Sequence, residues 1–281
     1  MSTPLYIPSP HPYRGEGYSK RVRNLRVGPY AEIVAKVEAQ IEEEANRNLI
    51  VYRDGDLVER HLSTNSTFCR SVVSMGYLSQ HQIEHAALRY RLGMSRDGGV
   101  IFWQISSSGR MYDGKIMYYR SDCHRDHNHK PTWVMSELKA FYLKDYPDLA
   151  AGLPSTHCLF GAHLISGNEL NVAVVEAEKT AVIMSELYPQ YLWLAAGGLN
   201  ELTASKLFAL KGHKIILFPD TDEDHKAYTT WYKVSKEAEF MLGQRIHLSP
   251  LLEQNATPDQ KRRKIDIVDY YFESTYFANE K

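Results

Sequence analysis

A chain of 281 residues, 43% hydrophobic and 24% charged, has the composition of a folded protein with room for one large core or two small ones. Its net charge of −1 excludes a uniformly basic nucleic-acid coat, and the lack of any run of about 18 apolar residues excludes a transmembrane helix and a membrane partner. Three widely spaced cysteines, Cys69, Cys123 and Cys158, exclude a disulfide scaffold and point to reduced thiols and a cytoplasmic setting.

The start, Met1 to Pro8, has neither the charged nor the apolar region of a signal peptide. Charge is uneven along the chain. Residues 1–135 hold 18 Lys and Arg against 14 Asp and Glu, and residues 136–281 hold 15 against 20. A basic half suits phosphate and an acidic half suits a cation.

Residues 1–30 are rich in Pro, Tyr and Arg without periodicity, and read as an extended arm. Ile33, Val34, Val37 and Ile41 recur at helical spacing between Tyr30 and Asn46. Asn48 to Leu62 reads as a hairpin turning at Asp54-Gly55. Ser79 caps a helix that ends near Tyr90. Val100–Ile105 is a strand, Ser106–Gly109 its turn, and Lys115–Tyr119 the return strand. Cys123 to His129 matches no zinc spacing and reads as a polar loop.

From Leu170 the pattern becomes regular. Strands at 171–175, 191–195, 214–218 and about 244–248 alternate with helices at 181–187, 203–210 and 225–241. Such alternation predicts an α/β fold, a parallel sheet flanked by helices, preceded by a smaller α+β region. A final helix is expected over 259–278, with Asp266 and Asp269 on one side. The expected division is an arm, helix and hairpin over 1–70, an α+β region over 71–165, and the parallel-sheet domain over 166–281.

Chemistry in parallel sheets gathers at the carboxyl ends of strands. Two apolar runs end there in acids: Val172-Ala173-Val174-Val175 stops on Glu176, and Ile215-Ile216-Leu217-Phe218 stops on Pro219-Asp220-Thr221-Asp222. Three converging carboxylates repel one another unless a cation sits among them, and hard oxygen ligands suit Mg2+ or Mn2+. The other reading is ordinary: acids at helix N-termini gain about 0.3–1 kcal/mol without any metal.

The ordered set resembles the Toprim domain of bacterial-type primases, topoisomerases and some nucleases. Three pieces carry it: the strand ending in Glu176, the strand Tyr191–Ala195 ending in Gly197-Gly198, and the strand ending in Asp220-Thr221-Asp222. Lys264-Ile265-Asp266-Ile267-Val268-Asp269-Tyr270 resembles the close that follows such cores in phage and mobile-element primases. Gly114–Arg120, Thr132–Val134 and Cys158–Leu164 extend the likeness to primase-like proteins of bacterial (Bacteroides-type) mobile elements. Two positions depart from it. Ala177 stands where primases have glycine, and Thr180 where they have an acid, with Glu178 or Asp224 as candidates to compensate.

The resemblance implies metal-dependent nucleotidyl transfer on single-stranded DNA from nucleoside triphosphates, beside a separate helicase. It implies that Asp220 and Asp222 hold the metal, with Glu176 as ligand or proton carrier and Asp224 as a further acid. Lys179, Gly197 and Gly198 are candidates for phosphate. Lys115, Arg120, Arg125 and Lys130, interleaved with aromatics, are candidates for the nucleic-acid strand. A Toprim nuclease, or a degenerate strand-binding or assembly subunit, also fits the sequence.

Overall fold

The computed structural model describes residues 54–145, 147–153 and 156–279. The basic arm, the helix expected before Asn46, and the first half of the expected hairpin lie outside them. The hairpin's second half is corrected: Asp54–His61 is an α-helix, α1. Leu57, Val58 and His61 stand at helical spacing, Val58 is buried, and His61 Nδ1 lies 2.8 Å from the Leu57 carbonyl. An Asp-Gly pair signals a turn only between alternating strands, and an acid is equally at home in a first helical turn.

Two short helices follow, α2 (Thr67–Ser74) and α3 (Gln80–Arg89). The sequence did not separate α2 from its turns. Ser79 caps α3 as expected, with a reciprocal bond from Gln82. An antiparallel sheet comes next, in the order β1 (Gly93–Met94), β2 (Val100–Ile105), β3 (Met111–Met117) and β4 (Thr132–Trp133).

Strand β3 begins four residues before the expected Lys115. Asp113 and Gly114 hid it, since both residues are poor strand formers. Gly114 is required, because a Cβ there would stand 2.7 Å from both Ile101 and Trp103. Gly114→Ala should therefore cost about 1–3 kcal/mol, read as a lowered urea midpoint at unchanged slope. Every residue of β2 is buried, because the sheet is covered on both faces. Ile101, Trp103 and Ile116 pack on one side beside α4 (Val134–Tyr142). Phe102 packs on the other, in the larger core. Helix α5 (Pro147–Gly152) follows.

The second sheet is parallel, in the order β6 (Tyr191–Ala195), β5 (Asn171–Val175), β7 (Ile215–Phe218), β8 (Ile246–Leu248). Its helices are α6 (Glu178–Leu187), α7 (Ala204–Phe208) and α8 (Lys226–Leu242). This is the mixed α/β architecture the alternating pattern predicts. One continuous core joins Phe68 of α2, Ile83 of α3, Phe102 of β2, Val175 of β5, Trp193 of β6 and Val268 near the carboxyl end. Tyr90 crosses it, stacking on Phe160 and donating to the Trp193 carbonyl at 2.7 Å.

Short α9 (Leu251–Asn255) precedes the tail, which is not one helix. It is α10 (Pro258–Arg263) and α11 (Ile267–Asn279), broken where Lys264 turns left-handed. Asp266 is the reason a new helix starts there. Its Oδ1 accepts the Val268 and Asp269 N–H groups at 2.9 Å each, as an N-cap does. Among the described residues no helix is long and apolar enough to cross a membrane.

Candidate functional site

Strands β5 and β7 are neighbours with Val175 opposite Phe218, so both central strands end on the same edge. Glu176 is the first residue beyond β5, and Asp220 lies one proline beyond β7. Both are half-buried. Burial raises the Glu176 pKa. The Leu199 N–H and Lys115 act against this, and Asp266 and Asp222 act with it. Asp220 is pushed further, well above the carboxylate range, by burial first and then by Glu176 and Asp266. At both acids burial and neighbouring carboxylates outweigh the opposing lysines, Lys115 at Glu176 and Lys179 at Asp220.

Asp222 differs. Its Oδ1 accepts the Asp224 and Lys226 N–H groups at 3.0 and 2.9 Å, and its Oδ2 accepts that of Ala227 at 2.8 Å. Burial alone would raise its pKa, but these N–H groups outweigh it and lower the value. Asp222 thus secures the start of α8, the ordinary role of an acid there, while remaining near enough to act on Glu176. Among the described residues no group of three or more His, Cys, Asp or Glu is placed to hold a metal ion. By chemistry the donors at this edge are all carboxylate oxygens, which suit a hard divalent cation and no soft one.

Both candidate lysines are engaged within the protein. Lys179 pairs with an acid: its Nζ lies 2.8 Å from Asp266 Oδ2, and both side chains are largely buried. Burial opposes its charge, yet Asp266 and then Asp269 outweigh burial and raise its pKa. Lys115, a candidate for the nucleic-acid strand, is likewise held inside the fold. Its Nζ lies 3.1 and 3.2 Å from the Glu178 carboxylate oxygens and donates to the Gly197 carbonyl at 2.8 Å. It ties β3 of the first sheet to the edge of the second.

Thr180 and the two acids suggested beside it, Glu178 and Asp224, have separate surroundings. Glu178 is held by Lys115, and Asp224 is exposed. Thr180 Oγ1 donates to Asp266 Oδ2 at 2.6 Å, so a carboxylate of the carboxyl-terminal segment lies beside Thr180. The Asp-x-x-Asp spacing of 266 and 269 was the visible signal; its partners were not.

Gly197 and Gly198 take φ of +95° and +153°, values that favour glycine. They do not open a helix. α7 starts at Ala204 and its N-terminus is capped by Thr203. Arg120, Arg125 and Lys130 are exposed on the β3–β4 loop, with Arg120 paired to Asp122. Of the interleaved aromatics, Tyr119 is buried, while Tyr118 stacks on His129 and bonds Asp97. Cys123 is buried beneath this loop, which pushes its thiol up to about 11, away from metal binding.

Residues 66–221 match a family model described as "Domain of unknown function (DUF6371)". No curated protein matches the chain. Among solved structures, the primase fragment of the bacteriophage T7 primase-helicase protein is similar over 73% of this chain and 70% of that one, at 16% identity and a TM-score of 0.41. A chain from the bacteriophage T7 lagging-strand DNA polymerase interacting with primase domains of two gp4 subunits, bound to an RNA/DNA hybrid and dTTP, is similar over 63% of this chain and 82% of that one, at 15% identity and a TM-score of 0.38.

Proposed function

The chain belongs to the family described as a domain of unknown function, DUF6371, and from that premise and the geometry above we propose that it is a primase-like Toprim protein handling nucleic-acid phosphates with Mg2+ or Mn2+. The observation that carries this reading is the pair Glu176 and Asp220. They stand on adjacent parallel strand ends, each with a pKa raised by burial and by neighbouring acids. Two such acids on one edge lose part of their mutual repulsion and their burial cost when a divalent cation joins them.

In this reading Glu176 and Asp220 hold the ion, with Asp222 beside them anchoring α8. An Mg2+ or Mn2+ held there would supply positive charge against the phosphates of a nucleoside triphosphate during nucleotidyl transfer to a 3′-hydroxyl. Arg120, Arg125 and Lys130 offer an exposed basic loop for single-stranded DNA. A separate helicase would supply the strand. Toprim-type hydrolysis of DNA uses the same acids, and nicking of supercoiled plasmid separates the two reactions.

Titration of Mn2+ tests the site, with a sign fixed by linkage. The raised folded-state pKa values of Glu176 and Asp220 mean that their stabilising contribution is complete below the unfolded carboxylate range. It is lost as pH rises through the folded values. Asp222 and Asp266, with lowered values, act oppositely, so the Asp220→Asn variant isolates the effect. From about pH 5 to about pH 8, the melting temperature of Asp220→Asn should rise relative to wild type without metal. Mn2+ should stabilise wild type more at the higher pH, where protons compete less, and leave Asp220→Asn unmoved. Equal Mn2+ shifts in both proteins would sink the assignment.

A second reading has its own support, in Asp222 acting as a helix cap and Thr180 standing at an acid position. It makes the chain a strand-binding or assembly subunit without chemistry. It predicts single-strand binding that falls with salt and ignores a chelator.

A further inference from the structure

A polar cluster lies outside the carboxylate edge, on the antiparallel sheet. The register pairs Gln104 with Asp113, Phe102 with Lys115 and Lys115 with Trp133, so Gln104, Asp113, Lys115 and Trp133 share one face. Asp113 is buried, and its Oδ1 accepts the Gly114 N–H at 2.7 Å and the Met135 N–H at 2.9 Å. Its Oδ2 lies 3.3 Å from His157 Nε2. The His157 ring stacks on Trp133 at 3.9 Å and 13°. Gln104 is also buried, and its Oε1 has no hydrogen-bond partner among the described residues.

The cluster is linked to the proposed site through β3 and through the Phe160 bridge. Asp113 lies about 7 Å along β3 from Lys115 at the usual strand rise. Lys115 reaches the Gly197 carbonyl and acts on Glu176. His157 is tethered to the same edge, since Phe160, three residues on, exchanges backbone hydrogen bonds with Ala195 at the end of β6. A carboxylate bonded to one imidazole nitrogen fixes ring and tautomer, and leaves the other nitrogen to take a proton. Asp113 is locked by two N–H groups and by burial, and the Trp133 stack limits ring rotation. His157 keeps 24% of its side chain exposed, enough for contact with a ligand.

We propose that Asp113 and His157 form a proton-transfer dyad serving the carboxylate edge, with a hydroxyl of a nucleic-acid or nucleotide substrate as the proton donor. The inference rests on the reading under Proposed function. In the step, the hydroxyl oxygen bonds to phosphorus and its proton passes to His157 Nδ1. The bond from phosphorus to the leaving oxygen breaks, releasing pyrophosphate in nucleotidyl transfer, and His157 then returns the proton to solvent. Asp113 does not exchange the proton; it is a positioning residue.

The test uses the full chain with Mn2+, a primed single-stranded oligonucleotide and nucleoside triphosphates. Wild type, Asp220→Asn, His157→Ala and Asp113→Asn are compared, the last keeping an acceptor for the Met135 N–H. His157→Ala should lose about 10²–10⁴-fold in kcat with KM little changed, and added imidazoles should restore rate in proportion to their basicity. Asp113→Asn should lose rate with normal Mn2+ affinity. Independently of activity and without metal, the primed oligonucleotide should protect His157 from carbethoxylation by diethyl pyrocarbonate, read by mass spectrometry. An active wild type, an inactive Asp220→Asn and an unchanged His157→Ala with unprotected His157 would overturn the dyad alone. Wild type inactive in both primer synthesis and nicking would overturn the dyad together with the reading beneath it.

Discussion

Asp266→Ala should lose about 3–5 kcal/mol of stability, measured by urea unfolding, because it strands a buried ammonium. Asp266 Oδ2 receives Lys179 at 2.8 Å and Thr180 at 2.6 Å, while Oδ1 caps α11 through two N–H groups. Burial works against its charge, and Lys179 outweighs burial to hold its pKa low. Removing the carboxylate leaves Lys179 unpaired beside the remaining core and frees two backbone donors, each costly when unsatisfied. Replacing both partners, as in Lys179→Met with Asp266→Leu, should recover much of the loss, since an apolar pair carries no desolvation cost. The cap would still be missing, at about 1 kcal/mol. A loss below about 1 kcal/mol in Asp266→Ala would mean that Lys179 escapes to water when its partner is removed.

Glu178→Ala should lose about 3–5 kcal/mol, again by leaving a buried charge alone. Glu178 is 1% exposed and Lys115 12%, so solvent screens the pair poorly. The loss should have a local signature too. Lys115 holds the Gly197 carbonyl as well as Glu178, so its release should raise amide hydrogen exchange at residues 196–199 before the rest of the parallel sheet opens. Lys115→Met should give a similar loss, and the two changes together should be less than additive. Additive losses would show that the two residues are not coupled.

The parallel sheet was legible because buried parallel strands are nearly continuous apolar runs. Val172–Val175 and Ile215–Phe218 have no alternation to confuse with a surface helix, and the acids that end them mark the candidate edge directly. Other elements were hidden by chemistry that cuts across local pattern. Asp54-Gly55 carries a hairpin signal inside what is a helix. Gly114 belongs to a strand because a tryptophan from the next strand occupies the space of its side chain. The tail divides at Lys264 because Asp266 caps a new helix. Within the site, residue types were visible and partners were not. Lys115 and Lys179 read as free cations, since nothing local to either shows that Glu178 and Asp266 reach them. Asp113 and His157 lie 44 positions apart and meet only once the first sheet has formed.

The bond from Thr180 to Asp266 spans 86 positions of sequence. A ribosome delivers Glu176, Lys179 and Asp220 well before it delivers Asp266. Until α11 emerges, the half-made domain carries a lysine destined for burial without its bonded partner, so its parallel sheet has a reason to stay loose. Chains terminated early therefore lack the charge that lets the domain close. Such chains should be more open to proteases than finished ones, and the proposed carboxylate site should be complete only on chains read through Asp266.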